Sequence, residues 1–496
     1  MMQFRRTLSV VLVLGVVGSL IYFDANRTTE PSAPTSETST ANQLQAVPII
    51  GPESALTTSW YCPGVPANDL GITGAIVVSN PSTRIVTGTI TFLSDGQAPL
   101  ADALSVPALS TILINALPGI GGTFVSAMVE INGGVGSVEQ RITHQGGDSV
   151  ALCANAPAQD WFFADGFTGA DSIEQIVLTN PYSDSTVVDI SFVTLESKRE
   201  PANLQGFVLL PQSVTVLSMA DQGARNERVV AVSVRASSGR LIAGRSQHYL
   251  GQGRLGYTMS LGASATSDQW WFPDGEKVPG IAEQLVIFNP GDTDRTLSVL
   301  FITTGEVSSS IEPATITAPA GRVVTFDTAS LPSLPDGRYG ILVAVVDSPS
   351  DLEASTADQI VVEQIINRGE GSLVGTSVVL GMPTTAASTT WVAPSGTTAG
   401  LEDSIVVLNT TSDPATVSVQ SVGPAGAVAI SGLENIVVAQ SGLTLISVPN
   451  GLPVGQLILR ATTPVIVQRL LARGHDLPGR SAVMAIPVIP SPTVTP

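Results

Sequence analysis

All five tryptophans of this 496-residue chain sit in one short tag that occurs four times, and this recurrence limits the fold more than any other feature. The copies are Trp60-Tyr-Cys-Pro-Gly64, Trp161-Phe-Phe-Ala-Asp-Gly166, Trp270-Trp271-Phe-Pro-Asp-Gly275 and Trp391-Val-Ala-Pro-Ser-Gly396, beginning 101, 109 and 121 residues apart. An apolar strand ending in Asn-Pro or a variant follows each: IVVSNP to Pro81, IVLTNP to Pro181, LVIFNP to Pro290 and IVVLNT to Thr410. Near the end of each copy a third landmark runs into a basic or amide residue, SVEQR to Arg141, LIAGR to Arg245, IVVEQ to Gln364 and VIVQR to Arg469. A glycine-containing turn and one more apolar strand follow it. Three landmarks in fixed order imply tandem duplication, with repeats at 56–158, 159–267, 268–388 and 389–490.

Within a repeat the period is two. Val188, Ile190 and Phe192 alternate with Val187, Asp189 and Ser191, the pattern of a half-buried strand. About seven short strands per roughly 100 residues, without a helical stripe, predict an all-β chain of four immunoglobulin-like sandwiches. A β-propeller built from the same repeats is the alternative, with each repeat serving as a pair of blades.

Arg5 and Arg6 precede an uncharged, Val- and Leu-rich run, Thr7 to Phe23, which as a helix spans roughly 25 Å. It ends on bulky residues and Asp24, without a small-residue cleavage pattern. Residues 1–23 are therefore expected to form an uncleaved signal anchor in the cytoplasmic membrane, the rest lying outside; secretion after cleavage is the alternative. Residues 24–55, rich in Thr, Ser and Pro, read as a linker, and 491–496 as a disordered tail. Outside the membrane the only two thiols, Cys62 in the first tag and Cys153 at the end of the same repeat, are expected to pair. Charged residues are 13% of the chain and the net charge is −19, which argues against a nucleic-acid partner.

The tags WFFADG and WWFPDG, the strand-ending Asn-Pro, the closing arginine and the Arg473-Gly474-His475 turn resemble a repeat of bacterial exported proteins. WYCPG with LCANAPAQDWFF more narrowly resembles an uncharacterised, domain-of-unknown-function family of actinobacterial envelope proteins, membrane-anchored or secreted. The resemblance spans about residues 56–490. It implies an envelope location and a tandem β-repeat ectodomain, and it carries no catalytic residues. The fourth copy departs from the pattern at Val392, Ser395 and Thr410.

The chemical motifs read as structural. Gly251-Gln-Gly253-Arg-Leu-Gly256 matches the dinucleotide fingerprint, but the segment after it is a strand, so it is a turn. Asp165-Gly166 and Asp274-Gly275 read as hairpin turns. His144, His248 and His475, near the ends of separate repeats, read as surface residues unable to share a metal. Trp60, Trp161, Trp270, Trp271 and Trp391 read as core or joint residues, with sugar stacking as their functional alternative. Arg141, Arg245 and Arg469 are expected to bridge to acids of their own repeat. The acidic insertion Ser348 to Asp358 is the candidate for a repeat-specific contact. No catalytic residue, metal or cofactor is expected. The function read from the sequence is non-enzymatic, a structural or interaction role in the cell envelope with an unknown envelope protein or glycan as partner; the alternative is a glycan-binding or accessory module for cell-wall polymer assembly.

Overall fold

The computed structural model describes residues 46–52, 54–69, 71–303, 311–346, 359–369, 374–395, 403–449, 455–474 and 477–489. The expected anchor helix, most of the linker, the insertion, His475 and the tail lie outside them. The described chain is all-β, and no helix in it is long and apolar enough to cross a membrane. Its strands form seven antiparallel sheets, none closed.

Four successive stretches give the same two strand orders. In the first, one sheet runs Thr57–Tyr61, Phe124–Asn132, Val86–Ser94, Leu100–Val106 from edge to edge. The other runs Ser110–Asn115, Ile72–Asn80, Ser137–His144, Ser149–Leu152. The chain thus crosses repeatedly between two sheets instead of completing one at a time. In the fourth stretch the 16-residue strand Leu457–Ala472 runs through both sheets and joins them into one of nine strands.

Four strands of each stretch recur below. The tag strands are Thr57–Tyr61, Asp160–Phe163, Gln269–Lys277 and Ser388–Ala393. The Asn strands are Ile72–Asn80, Ile173–Asn180, Ile281–Asn289 and Asp403–Asn409. The closing strands are Ser137–His144, Ile242–Gly251, Val361–Arg368 and the second half of Leu457–Ala472. The axial strands are Ser149–Leu152, Arg254–Leu261, Gly375–Leu380 and Arg480–Met484.

Period-two alternation builds the core between paired sheets. In the second stretch Ile176 and Leu178 of one sheet meet Val188, Ile190, Phe192 and Val232 of the other, around Trp161 and Phe163. Each such large side chain contributes roughly 1.5–3 kcal/mol on burial. Every Asn of an Asn strand is buried and donates through Nδ2 to carbonyls of two later turns. Asn180, for instance, reaches Asp184 O at 2.8 Å and Leu210 O at 3.0 Å. Asn80, Asn289 and Asn409 repeat the arrangement.

The stretches are not separate beads. Their Asn strands are buried on both faces, which is why they read as unbroken apolar runs. Val177 packs into the core of the first stretch with Val125 and Ala127. Phe162 meets Phe288 of the third stretch, ring centroids 6.5 Å apart. A Cβ on Gly340 would lie 2.9 Å from Leu408 of the fourth. Val392, Val422 and Ile458 of the fourth pack with Leu109 of the first. The axial strands touch in cyclic order, first to second, second to third, third to fourth, fourth to first. The four stretches therefore form a ring, with one apolar cluster running from the second through the fourth.

Residues 46–50, assigned from composition to the linker, belong to the ring. Ala46 and Val47 are buried at the axis, and Ile50 forms a parallel bridge with Val488. Their local sequence, Ala-Val-Pro-Ile-Ile, is apolar where the preceding residues are not. Incoming and outgoing chain thus meet at one axial end.

Cys62 and Cys153 form a disulfide that ties the end of the first tag to the end of the first axial strand. With the two cysteines 91 positions apart, removing it by Cys153→Ser is expected to cost about 4 kcal/mol in the chain-entropy model. The check is the urea midpoint of the variant against that of the oxidised chain.

Candidate functional site

Polar chemistry concentrates where each tag bends. The tag leaves its ladder for two or three residues: in the third stretch pairing stops at Phe272 and resumes at Gly275. The carbonyl inside that bulge has no strand partner, and it is buried. A closing-strand side chain supplies the donor every time. Gln140 Nε2 reaches Gly64 O at 2.7 Å, Gln364 Nε2 reaches Asp274 O at 2.7 Å, and Arg469 Nη2 reaches Ser395 O at 3.0 Å. Arg245 Nη1 donates to Asp165 O.

This register corrects the sequence reading by one residue. Gln140, not Arg141, pairs with Ile76 as Arg245 does with Ile176, Gln364 with Leu285 and Arg469 with Ile405. Arg141 meets Glu139 of its own stretch at 3.3 Å, whereas the other two arginines meet acids of another stretch. Arg469 Nη1 meets Glu139 of the first stretch at 2.7 Å, and Arg245 meets Glu363 of the third through two bonds, at 2.9 and 2.8 Å. Ring packing brings these partners together. Burial pushes the Glu139 carboxyl up, but Arg469 and Arg141 outweigh it and hold it below the usual range. For Arg245, burial pushes the guanidinium down and Glu363 more than restores it. Glu139 and Arg245 thus keep their charges at neutral pH.

Asp165 and Asp274 are not exposed turn residues. Both are fully buried: Asp165 holds Arg254 at 2.9 Å, and Asp274 holds Arg368 at 2.8 Å and Arg338. An acid also stands six residues before the Asn of three Asn strands, as Glu174, Glu283 and Asp403, which the sequence reading missed. The signal was present in the repeated Glu174-Gln175 and Glu283-Gln284. Burial pushes Glu174 well above the carboxylate range, and neither of its oxygens has a hydrogen-bond partner. Burial likewise lifts Glu283 to about 7, against bonds from Tyr339, Gln364 and Thr328.

At one end of the axis Arg473 of the fourth stretch bonds a carbonyl from each of the other three. Nη2 donates to Gly146 O at 3.1 Å and Tyr257 O at 3.0 Å, and Nη1 donates to Thr376 O. A Cβ on Gly256 would fall 2.3 Å from Nη2, so glycine is required there. Burial lowers Arg473 to about 10.

His144 and His248, expected to stay apart on the surface, meet beside it with ring centroids 4.9 Å apart and Tyr257 against both. His144 Nδ1 accepts from Gly146 N at 2.9 Å, so the neutral ring carries its proton on Nε2. That tautomer offers a donor, not a free metal-binding lone pair. No group of three His, Cys, Asp or Glu suited to a metal occurs among the described residues.

The five tryptophans are all buried, Trp271 the least at 8% exposure. Trp161, Trp270 and Trp391 donate from Nε1 to backbone carbonyls at 2.9 Å, and Trp271 donates to Thr384 Oγ1 at 2.7 Å. None presents a ring face for stacking. Gly251 to Gly256 forms a hairpin whose turn residues Gln252 and Gly253 take φ of 54° and 83°. A small apolar cavity at the opposite axial end is lined by Leu152, Leu261, Leu380 and Met484, with Ala46 and Val47 against it.

Burial lowers both histidines, and the His248 charge lowers His144 further while Asp69 opposes the shift in both. The folded chain therefore binds protons less readily than the unfolded one, so stability is intact above pH 6.5 and falls as pH drops through the depressed values. His144→Asn, which keeps an acceptor for Gly146 N, should flatten the fall in urea midpoint between about pH 7 and pH 5. Arg473→Lys keeps the charge but loses the fork; it should cost about 3 kcal/mol and speed amide exchange in all four axial strands.

No curated protein matches the chain. The crystal structure of Thermotoga maritima 1070 aligns over 24% of this chain and 97% of its own, at 15% identity and TM-score 0.20. The tetra-tandem repeat from the extending region of a large adhesion protein aligns over 88% and 97%, at 11% identity and TM-score 0.10. The model of a family of unknown function, DUF5719, matches residues 132–381, half of the chain, and the chain belongs to that family.

Proposed function

We propose that the chain is a non-enzymatic, extracytoplasmic structural or interaction protein of the bacterial cell envelope, a ring of four duplicated immunoglobulin-like sandwiches held to the cytoplasmic membrane by residues 1–23. One observation carries the non-enzymatic part. The polar groups that recur from stretch to stretch each seat one sheet on another or cap a tag, so the repetition serves assembly. The disulfide supports an oxidising compartment. The apolar run behind Arg5 and Arg6 supports the anchor.

In this reading the anchored chain enters the ring at Ala46 to Ile50, so that axial end faces the membrane. The end with Arg473 and the histidine pair faces outward, where an envelope partner approaches. A glycan partner receives no support from the tryptophans, since their rings are enclosed.

Cell fractionation with thiol alkylation tests the location. The expected result is a chain that sediments with membranes, resists salt extraction, and keeps Cys62 and Cys153 unreactive until reduced. A soluble cytosolic chain with two alkylatable thiols would overturn the proposal.

A further inference from the structure

The joints of the ring are not equally apolar. The residue before the Asn of each Asn strand faces the neighbouring stretch, and the series is Ser79, Thr179, Phe288 and Leu408. Phe288 meets Phe162 of the second stretch and Leu408 lies against Gly340 of the third, inside the apolar cluster that runs from the second stretch through the fourth. At the first-to-second joint Thr179 bonds Ser126 at 2.7 Å, and Val177, Val214, Tyr257 and Met259 of the second stretch complete the first core.

The fourth-to-first joint is different. Ser79 donates to Pro394 O there, and the apolar contact is divided into small groups: Val150 with Leu471 and Val483, and Leu109 with Val392, Val422 and Ile458. Leu113, opposite Val77 on the face turned to the fourth stretch, is left 57% exposed, whereas its equivalent Val216 packs on the first core. Polar pairs supply much of the rest, Glu139 with Arg469, Gly146 O with Arg473, and Val150 N with Ser481 Oγ at 3.1 Å. Such groups regain hydration in water, so parting them costs less than exposing an apolar face of the same size.

Residues 46–50 lie across this joint. Ile50 N donates to Pro487 O at 2.9 Å and Ile489 N donates to Ile50 O at 3.1 Å, which ties the segment to the fourth stretch. Ile49 N donates to Asn155 Oδ1 at 2.6 Å, just beyond Cys153 of the first. The Ile50 side chain packs on both sides, against the first core and against Val392, Val422 and Ile458. Two cavities adjoin Ala46 to Pro48, the axial one and another lined by Asn155, Pro157, Trp161 and Leu261. A Cβ on Gly51 would meet nothing within 4 Å, so the chain can turn there without displacing a neighbour.

We propose that residues 46–50 are a latch: the ring opens along the fourth-to-first joint, and this segment holds it shut. Releasing Ile49 and Ile50 removes the tie to the fourth stretch, the tie to Asn155 and the one side chain packed on both. Opening along that line separates the first axial strand from the fourth and uncovers the axial cavity, while the core from the second stretch through the fourth stays whole.

Hydrogen exchange of the full chain, read by mass spectrometry, tests the latch. In the unmutated protein the axial strands bordering the joint, Ser149–Leu152 and Arg480–Met484, should exchange faster than Arg254–Leu261 and Gly375–Leu380. Ile50→Ala should speed the first two by about tenfold and leave the other two within about twofold, and Ile50→Val should speed the same two by less. Arg473→Lys supplies the contrast, since it loosens all four. Equal protection of all four axial strands in the unmutated protein overturns the proposal, and so does an Ile50→Val chain that still unfolds cooperatively in urea yet speeds all four alike. The first readout uses the unmutated protein, so a variant that fails to fold does not blunt it.

Discussion

An orphaned carbonyl in the tag governs the rest of the structure. Where each tag bulges out of its ladder, one buried C=O loses its strand partner, and leaving it bare would cost about 1–3 kcal/mol. The donor comes from the closing strand of the facing sheet, so the bond fixes how the two sheets sit across the core. Gln140, Arg245, Gln364 and Arg469 all serve this purpose. The exchange of arginine for glutamine among them shows that what the site needs is an N–H at the right reach; a charge is additional.

Where that additional charge exists, it selects a neighbour. Glu139 and Glu363 stand one residue before the amide donors of the first and third stretches, on the face turned toward the adjoining stretch. They meet Arg469 and Arg245 there. A buried ion pair adds little net stability over an apolar pair, but a carboxylate seated on the wrong sheet would remain unpaired at a cost of several kcal/mol. Two of the four joints thus carry an electrostatic key. At the first-to-second joint the equivalent of Glu139 is Gly244, where a Cβ would fall 2.4 Å from Pro63. Close backbone approach takes the place of charge there.

The sequence made the all-β class, the three landmarks and the disulfide legible, because each is written locally: alternation, turn formers, a single pair of thiols. The ring was not legible in the same way. Its sign was the unbroken apolar character of IVV, IVL and LVIF, which marks strands covered on both sides, while a free sandwich would alternate. His144 and His248 were misplaced for the same reason, since their meeting depends on how stretches dock and not on any spacing along the chain. Asp165 and Asp274 misled because Asp-Gly is a strong turn signal. Here neither following glycine takes a left-handed φ, and the acids point inward to Arg254, Arg338 and Arg368.

Closure of the ring depends on side chains of the fourth stretch. The first and second stretches each centre on an apolar cluster, but Glu139 waits for Arg469, and the carbonyls of Gly146, Tyr257 and Thr376 wait for Arg473. Ile50 waits longer, for Val488. A chain stopped before the fourth stretch would leave apolar Asn-strand and tag faces open at both ends, the exposed surface that makes partly folded repeat proteins associate wrongly. Placing in the fourth stretch a guanidinium that touches all three earlier stretches couples their final packing to the folding of that stretch. The same arrangement brings the first and last described strands of the ring together, through the Ile50–Val488 bridge.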